Sequence, residues 1–169
     1  ISSNLKYIKQ SNGSWLPEGD YAKYNTNYTY YAYFPYRSTT YTPSTSGSAD
    51  AINTKFASYI NDEDNYFWQA DQSTKAGFTY SNLMISKGTV TDATNATVKF
   101  SMVHKRGLAV FTDYIDDFTF TGNIPYKENG RKHFLMKPGT ETVFTGNFTT
   151  CTLAAGEGQY ITRRMWSNR

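Results

Sequence analysis

The segment that most constrains this chain is residues 98–111, VKFSMVHKRGLAVF, a long stretch that alternates cleanly and stays apolar on both sides of a break. In an extended strand Val98, Phe100, Met102 and His104 share one face, and Lys99, Ser101, Val103 and Lys105 share the other. Lys105, Arg106 and Gly107 then interrupt the pattern with charge and with a residue that tolerates positive φ, before Leu108, Ala109, Val110 and Phe111 resume an apolar run. The pattern predicts two strands, or one strand passing a bulge, at the centre of a β-sheet protein. Its expected core includes Phe34, Phe100, Met102, Leu108 and Val110.

The rest of the chain follows the same period. Leu5, Tyr7 and Lys9 alternate with Lys6, Ile8 and Gln10, and Asn12-Gly13 is a strong hairpin turn that sends Trp15 and Leu16 back. Tyr28, Tyr30, Ala32 and Phe34 fall on one face of a dense aromatic strand, with Thr29, Tyr31 and Tyr33 on the other, until Pro35 forbids a central strand. Residues 38–48 read as a polar low-complexity loop, and a short helix follows with Ile52, Phe56, Tyr59 and Ile60 on one face. Phe78 and Tyr80, then Leu83, Met84 and Ile85, read as a further strand region. Phe118 and Phe120 alternate with Thr119 and Thr121, and Glu128-Asn129-Gly130 marks a second hairpin leading into Phe134, Leu135 and Met136. Pro138-Gly139, Val143-Phe144, residues 148–153 and Tyr160-Ile161 continue a succession of short strands with turns about every eight to twelve residues, as in a sandwich or barrel.

Composition narrows the class. Leu is scarce while Thr, Tyr, Phe and Val are common, which suits pleated surfaces. The 169 residues fit a single domain over 1–169. The formal charge of +3, from 17 basic and 14 acidic residues spread along the chain, is too diffuse for a nucleic-acid or membrane-surface footprint. Cys151 is the single cysteine and is expected in a strand, so packing alone must hold the domain. No window approaches the roughly 20 apolar residues of a membrane span. Ile1 reads as the start of a processed or trimmed chain, and the Tyr, Thr, Asn and Ser content has the character of an exported bacterial surface protein.

No residue set has the spacing of a catalytic or metal site, and no cofactor is expected. His104 and His133 lack metal-ligand spacing, and His104 is expected as a hydrogen-bonded core residue. Asp62, Glu63 and Asp64 lack the glycine turn and spaced ligands of a calcium loop. Asp113, Asp116 and Asp117 are the one carboxylate group worth weighing for glycoside hydrolysis, against an ordinary acidic turn. Arg37, Lys105-Arg106 and Arg163-Arg164 are candidate sites for a trypsin-like processing protease where exposed. Four Asn-x-Ser/Thr sequons, at Asn12, Asn27, Asn95 and Asn147, matter only on a eukaryotic secretory route. The 15 tyrosines and 3 tryptophans either fill the core or form a sugar-stacking or protein-binding surface, for which Trp15, Trp68 and Tyr31 are the candidates.

Several stretches carry a resemblance when taken in order: YYAYFPY at residues 30–36, YSNLM at 80–84, the strand at 98–111 with its FSMVH core, MKPGT at 136–140 and LAAG at 153–156. Together they resemble the N-terminal domain of the fimbrillin family, the Mfa-like shaft, tip and anchor subunits of fimbriae on Gram-negative gut and oral anaerobes. The resemblance implies a transthyretin-like Greek-key β-sandwich of about seven strands with one or two short helices. It also implies a non-enzymatic structural or adhesive subunit at the cell surface or outer membrane. Such a subunit is exported as a lipoprotein precursor, matured by proteolysis and touches membrane only through an upstream lipid anchor. Its partners are other fimbrial subunits, joined by donor-strand exchange, with a host protein or glycan as a further ligand. The chain departs from the family by lacking a counterpart of its usual opening strand and of its C-terminal domain. A different class of function, a carbohydrate-binding β-sandwich module of a cell-surface glycan-uptake system, is the alternative.

Overall fold

The computed structural model describes residues 5–37 and 68–166. These hold fourteen short strands and one α-helix, an all-β sandwich architecture. The described chain packs as two compact units. The first holds residues 5–32, 36–37 and Ser86–Ser101, and the second holds Tyr33–Pro35, residues 68–85 and residues 102–166. The expected loop at 38–48, the helix carrying Ile52 to Ile60 and the acidic run at Asp62 lie outside the described residues.

In the first unit β1 (Tyr7–Lys9) and β2 (Trp15–Pro17) form the predicted hairpin, with Ile8 opposite Leu16 and Lys9 opposite Trp15. Gly13 takes φ +87°, which is why the turn needs glycine there. Tyr30 ties down the neighbouring turn through its hydroxyl, which donates to Lys23 O at 3.0 Å and accepts from Asn25 N at 2.7 Å. The aromatic strand is shorter than its sequence pattern, with β3 confined to Tyr31–Phe34. A second hairpin joins β5 (Thr89–Asp92) to β6 (Thr97–Lys99), turned by Asp92, whose carboxylate accepts from the main-chain N–H groups of Thr94 and Asn95. Gly88 is required by proximity: a Cβ there would lie 2.7 Å from both Phe100 and Val98.

The second unit is the sandwich proper. One sheet takes, in order, β10 (Tyr126–Glu128), β11 (Arg131–Met136), β8 (Gly107–Thr112) and β14 (Tyr160–Arg164). β8 is antiparallel to β11 and parallel to β14. The facing sheet is β13 (Cys151–Leu153), β12 (Thr142–Gly146) and β9 (Phe120–Thr121). Between them lie Ala109, Phe111, Phe120, Phe134, Met136, Phe144 and Cys151, all buried. The rings meet edge to face, with Phe144 centred 4.9 Å from Phe111 and 5.0 Å from Phe134, the arrangement their quadrupoles favour. The Asn129-Gly130 turn behaves as predicted, both residues having positive φ between β10 and β11. Phe118 and Phe120 point inward while Thr119 and Thr121 face out, as their alternation requires.

Four expectations are corrected here. Residues 98–111 do not form a central pair: β6, β7 (Val103–His104) and β8 are separate, and β7 pairs with β4 (Met84–Lys87) through Met84 and Ile85. Only β8 is central, so Val110 is fully buried and Leu108 and Phe34 half-buried, while Phe100 and Met102 are 38% and 37% exposed. Phe78 and Tyr80 belong to a helix, α1 (Lys75–Ser81), whose N-cap Thr74 accepts from Gly77 N at 3.1 Å. His104 is exposed instead of buried, its Nδ1 lying 3.2 Å from Asn82 Oδ1. Gly107 is explained by contact, not by φ, since a Cβ there would fall 2.6 Å from that of Ala155.

One polar side chain completes the sheet. Where β10 ends beside His133, Gln72 takes the place of a further strand along β11. Its Oε1 accepts from Leu135 N at 2.8 Å, and its Nε2 donates to Leu135 O at 2.9 Å and to Gln69 O at 3.1 Å. Gln72 is wholly buried, so these bonds answer the requirement that buried polar groups be satisfied.

Candidate functional site

The features that could meet a partner are strand edges and exposed aromatic side chains. Among the described residues β14 has a strand on one side only, and its five residues are mostly exposed. In the other unit β1 and β2 have only each other as neighbours, with Ile8, Leu16 and Trp15 all exposed. Such open edges offer main-chain donors and acceptors to an incoming strand. The hairpin is fastened by Glu18 N donating to Lys6 O at 2.9 Å, by the Lys6–Glu18 ion pair at 3.0 Å and by Ala22 N donating to the Tyr7 hydroxyl at 3.3 Å.

Of the three aromatic candidates, one is presented to solvent. Trp68 is structural: its Nε1 donates to Leu135 O at 2.7 Å, its edge packs on Phe134 and Lys137 Nζ sits 4.4 Å from its ring centre. Tyr31 is half-buried, and that burial pushes its hydroxyl pKa up. Trp15 is 53% exposed on the hairpin. The sequence pattern did not single out Tyr114 or Trp166, which are as exposed as Trp15. Their only signal was position, each lying two residues past the end of a strand.

The three acidic residues enter separate bonds. Asp113 pairs with Arg164 at 2.7 Å, Asp116 with Lys127, and Asn147 Nδ2 donates to the Asp117 main-chain oxygen at 2.9 Å. The Lys127 hydrogen bond and its charge hold the Asp116 carboxyl below the usual carboxylate range. A glycosidase acid needs the opposite, a raised pKa that keeps its proton at neutral pH. Asn147 also accepts from Thr119 N at 2.8 Å, so this sequon asparagine is a tie between a turn and a strand.

The remaining candidates sort by burial. Arg106 is 1% exposed with Nε donating to Ser81 O at 3.1 Å, so Lys105-Arg106 is not an accessible processing site, whereas Arg163 and Arg164 are exposed. Cys151 is buried on β13, and burial pushes its thiol pKa up against the smaller opposing effect of Arg163. His133 packs edge-on against Phe78 with ring centres 6.3 Å apart. Among the described residues no three His, Cys, Asp or Glu side chains converge as metal ligands. No helix of the described chain is long and apolar enough to cross a membrane.

Comparison with known proteins gives a single kind of answer. No family model and no curated protein matches the chain. The structure is similar to the crystal structure of a fimbrial protein from Bacteroides ovatus, with a TM-score of 0.59 and 18% sequence identity. The alignment covers 96% of this chain and 42% of that protein, so the chain spans less than half of its structural neighbour's length. At this identity the likeness is one of fold, and the fimbrial fold expected from the YAYFPY block and the strand ending in His104 is the fold observed.

Proposed function

We propose that this chain is a non-enzymatic structural or adhesive subunit of a bacterial surface fimbria, its residues 1–169 acting as one fimbrillin-like domain. The observation that carries the reading is the fold, which follows that of a fimbrial protein over 96% of the chain. The subunit is exported to the cell surface, reaches the outer membrane through a lipid anchor on its precursor and assembles with other fimbrial subunits by donor-strand exchange. Two features support that mode of assembly. The outer edge of β14 has no strand beside it among the described residues, and the β1–β2 hairpin exposes apolar residues along a two-stranded sheet that is marginal by itself. A donor strand answers both needs, its main chain extending a ladder and its alternate side chains covering apolar surface.

The test is to add synthetic donor-strand peptides, alternating apolar and polar, taken from subunits encoded beside this one. A peptide that binds the folded chain alone, at one hundred times its dissociation constant, stabilises it by about 2.7 kcal/mol. For a chain of this size that raises the melting temperature by roughly 5–10 °C. Size-exclusion chromatography run in parallel should show longer assemblies when whole subunits replace the peptides. A chain that stays monomeric with every neighbouring subunit, and whose melting temperature no donor peptide raises, would rule out donor-strand assembly for this domain.

A further inference from the structure

The two faces of the edge strand β14 carry different chemistry. Along it Tyr160, Thr162 and Arg164 share one face, and Ile161 and Arg163 the other. Ile161 packs against the sandwich core, so the second face is the inner one. Arg163 is therefore an arginine that points inward from an edge. Its side chain reaches the sulfur of Cys151 and donates a hydrogen bond to it. Cys151 lies on β13, the edge of the facing sheet, so the arginine crosses the open side of the sandwich from one edge strand to the other. Leu153, two residues further along β13, also faces the core and, like Ile161, is only partly buried there.

The neighbouring arginine is a contrast. Arg164 is neutralised by Asp113 at 2.7 Å, and Glu157 is likewise taken by Lys105. Arg163 is exposed and has no carboxylate partner among the described residues. A thiol is a weak acceptor and supplies no counter-charge while it keeps its proton, as burial makes this one do.

A strand added to β14 changes the position of that cation. The inward side chains of the newcomer stand beside Ile161 and Arg163, covering the first and withdrawing the second from water. A guanidinium enclosed without a counter-charge is costly, which is how inward charges on edge strands discourage indiscriminate pairing. A carboxylate at that place removes the cost, since it meets the guanidinium through two parallel hydrogen bonds.

We propose that Arg163 selects the strand that β14 accepts: one whose inward residue beside the arginine is Asp or Glu, and whose next inward residue, beside Ile161, is apolar. Such selection rests on the reading of β14 as an acceptor edge and adds what that edge requires of its partner. Inward positions lie two residues apart, so the required pattern is acid-x-apolar in an antiparallel strand and apolar-x-acid in a parallel one. A strand with a wholly apolar inward face is refused.

The experiment titrates the full chain with labelled synthetic peptides of both patterns, each made with Asp, Asn, Leu or Lys at the acid position. Fluorescence anisotropy measures binding and hydrogen exchange locates it. In one of the two patterns the Asp peptide should bind at least about tenfold more tightly than the others, and should slow exchange at the β14 amides. Arg163→Met should bring the Asp, Asn and Leu peptides within about threefold of one another. Arg163→Glu should make the Lys peptide the tightest binder, and serves as the second variant should Arg163→Met fail to fold. Arg131→Met, which removes the same charge from β11 two strands away, should leave the preference for Asp intact. Binding at β14 without a preference for Asp, or a preference that survives Arg163→Met and Arg163→Glu, overturns the selection and leaves donor-strand assembly standing. Protection confined to amides outside β14 overturns it as well. If no peptide of either pattern binds, the acceptor reading falls and the selection with it.

Discussion

Phe144 and Phe100 show how much a residue's surroundings decide its energetic weight. Phe144 is fully buried and meets the rings of Phe111, Phe120 and Phe134. Phe144→Ala removes those contacts and opens a cavity, and should cost about 3–5 kcal/mol in urea denaturation. Phe100 is 38% exposed and leans on Gly88, so Phe100→Ala should cost no more than about 1 kcal/mol. The sequence alone ranks them the other way, because Phe100 sits in the cleanest alternating segment. Alternation identifies which residues share a face. It does not say which face another element will cover, and for residues 98–104 the neighbours are the small β5 hairpin and β4, not the packed sheet. The same limit hid the Asp113–Arg164 ion pair, whose two members come from the ends of different strands.

At the scale of elements, the hairpins were legible because turn chemistry is local: Asn12-Gly13 and Asn129-Gly130 close the two hairpins they predict. α1 was not legible as a helix, since Phe78 and Tyr80 two apart imitate a strand, and the Thr74 cap carries the information that contradicts them. Gln72 was invisible for another reason. Its role as a one-residue stand-in for a strand exists only because β10 stops short of Leu135. Gln72→Leu removes the partner of Leu135 N while Trp68 still serves Leu135 O, so one buried donor is orphaned together with the bonds that the glutamine itself made. The expected loss is about 2–4 kcal/mol by urea denaturation, with faster hydrogen exchange at the Leu135 amide than at Ala109.

For the whole molecule, pH should act through carboxylates that cap turns. The Ser73 hydroxyl and N–H lower the Asp71 pKa, the Asn95 N–H and side chain lower that of Asp92, and Lys127 lowers that of Asp116. Each folded value lies below the unfolded one, so the unfolded chain binds more protons on acidification. Their stabilisation is complete above the ordinary carboxylate value of about 4 and is lost as pH falls through the depressed folded values. Denaturation midpoints measured from about pH 6 down to pH 3 should therefore fall at the acid end, and less steeply in Asp92→Asn. Burial lowers the Lys132 pKa as well, so the unfolded chain again binds more protons, and the cost of keeping that lysine charged is relieved as pH rises toward the ordinary lysine value.

The parallel pairing of β14 with β8 has a mechanical meaning as well. The two strands run in register from Tyr160 beside Leu108 to Arg164 beside Thr112, and β8 is itself locked to β11 on its other side. A tension applied to β14 along its own axis loads the hydrogen bonds of that ladder together in shear, so they must break at once and not one by one. A pull across the strand would instead peel them singly from one end. The sandwich is thus direction-dependent as a tether, stiff to drag along β14 and weak to lateral prising, which suits a body stretched end to end in flow.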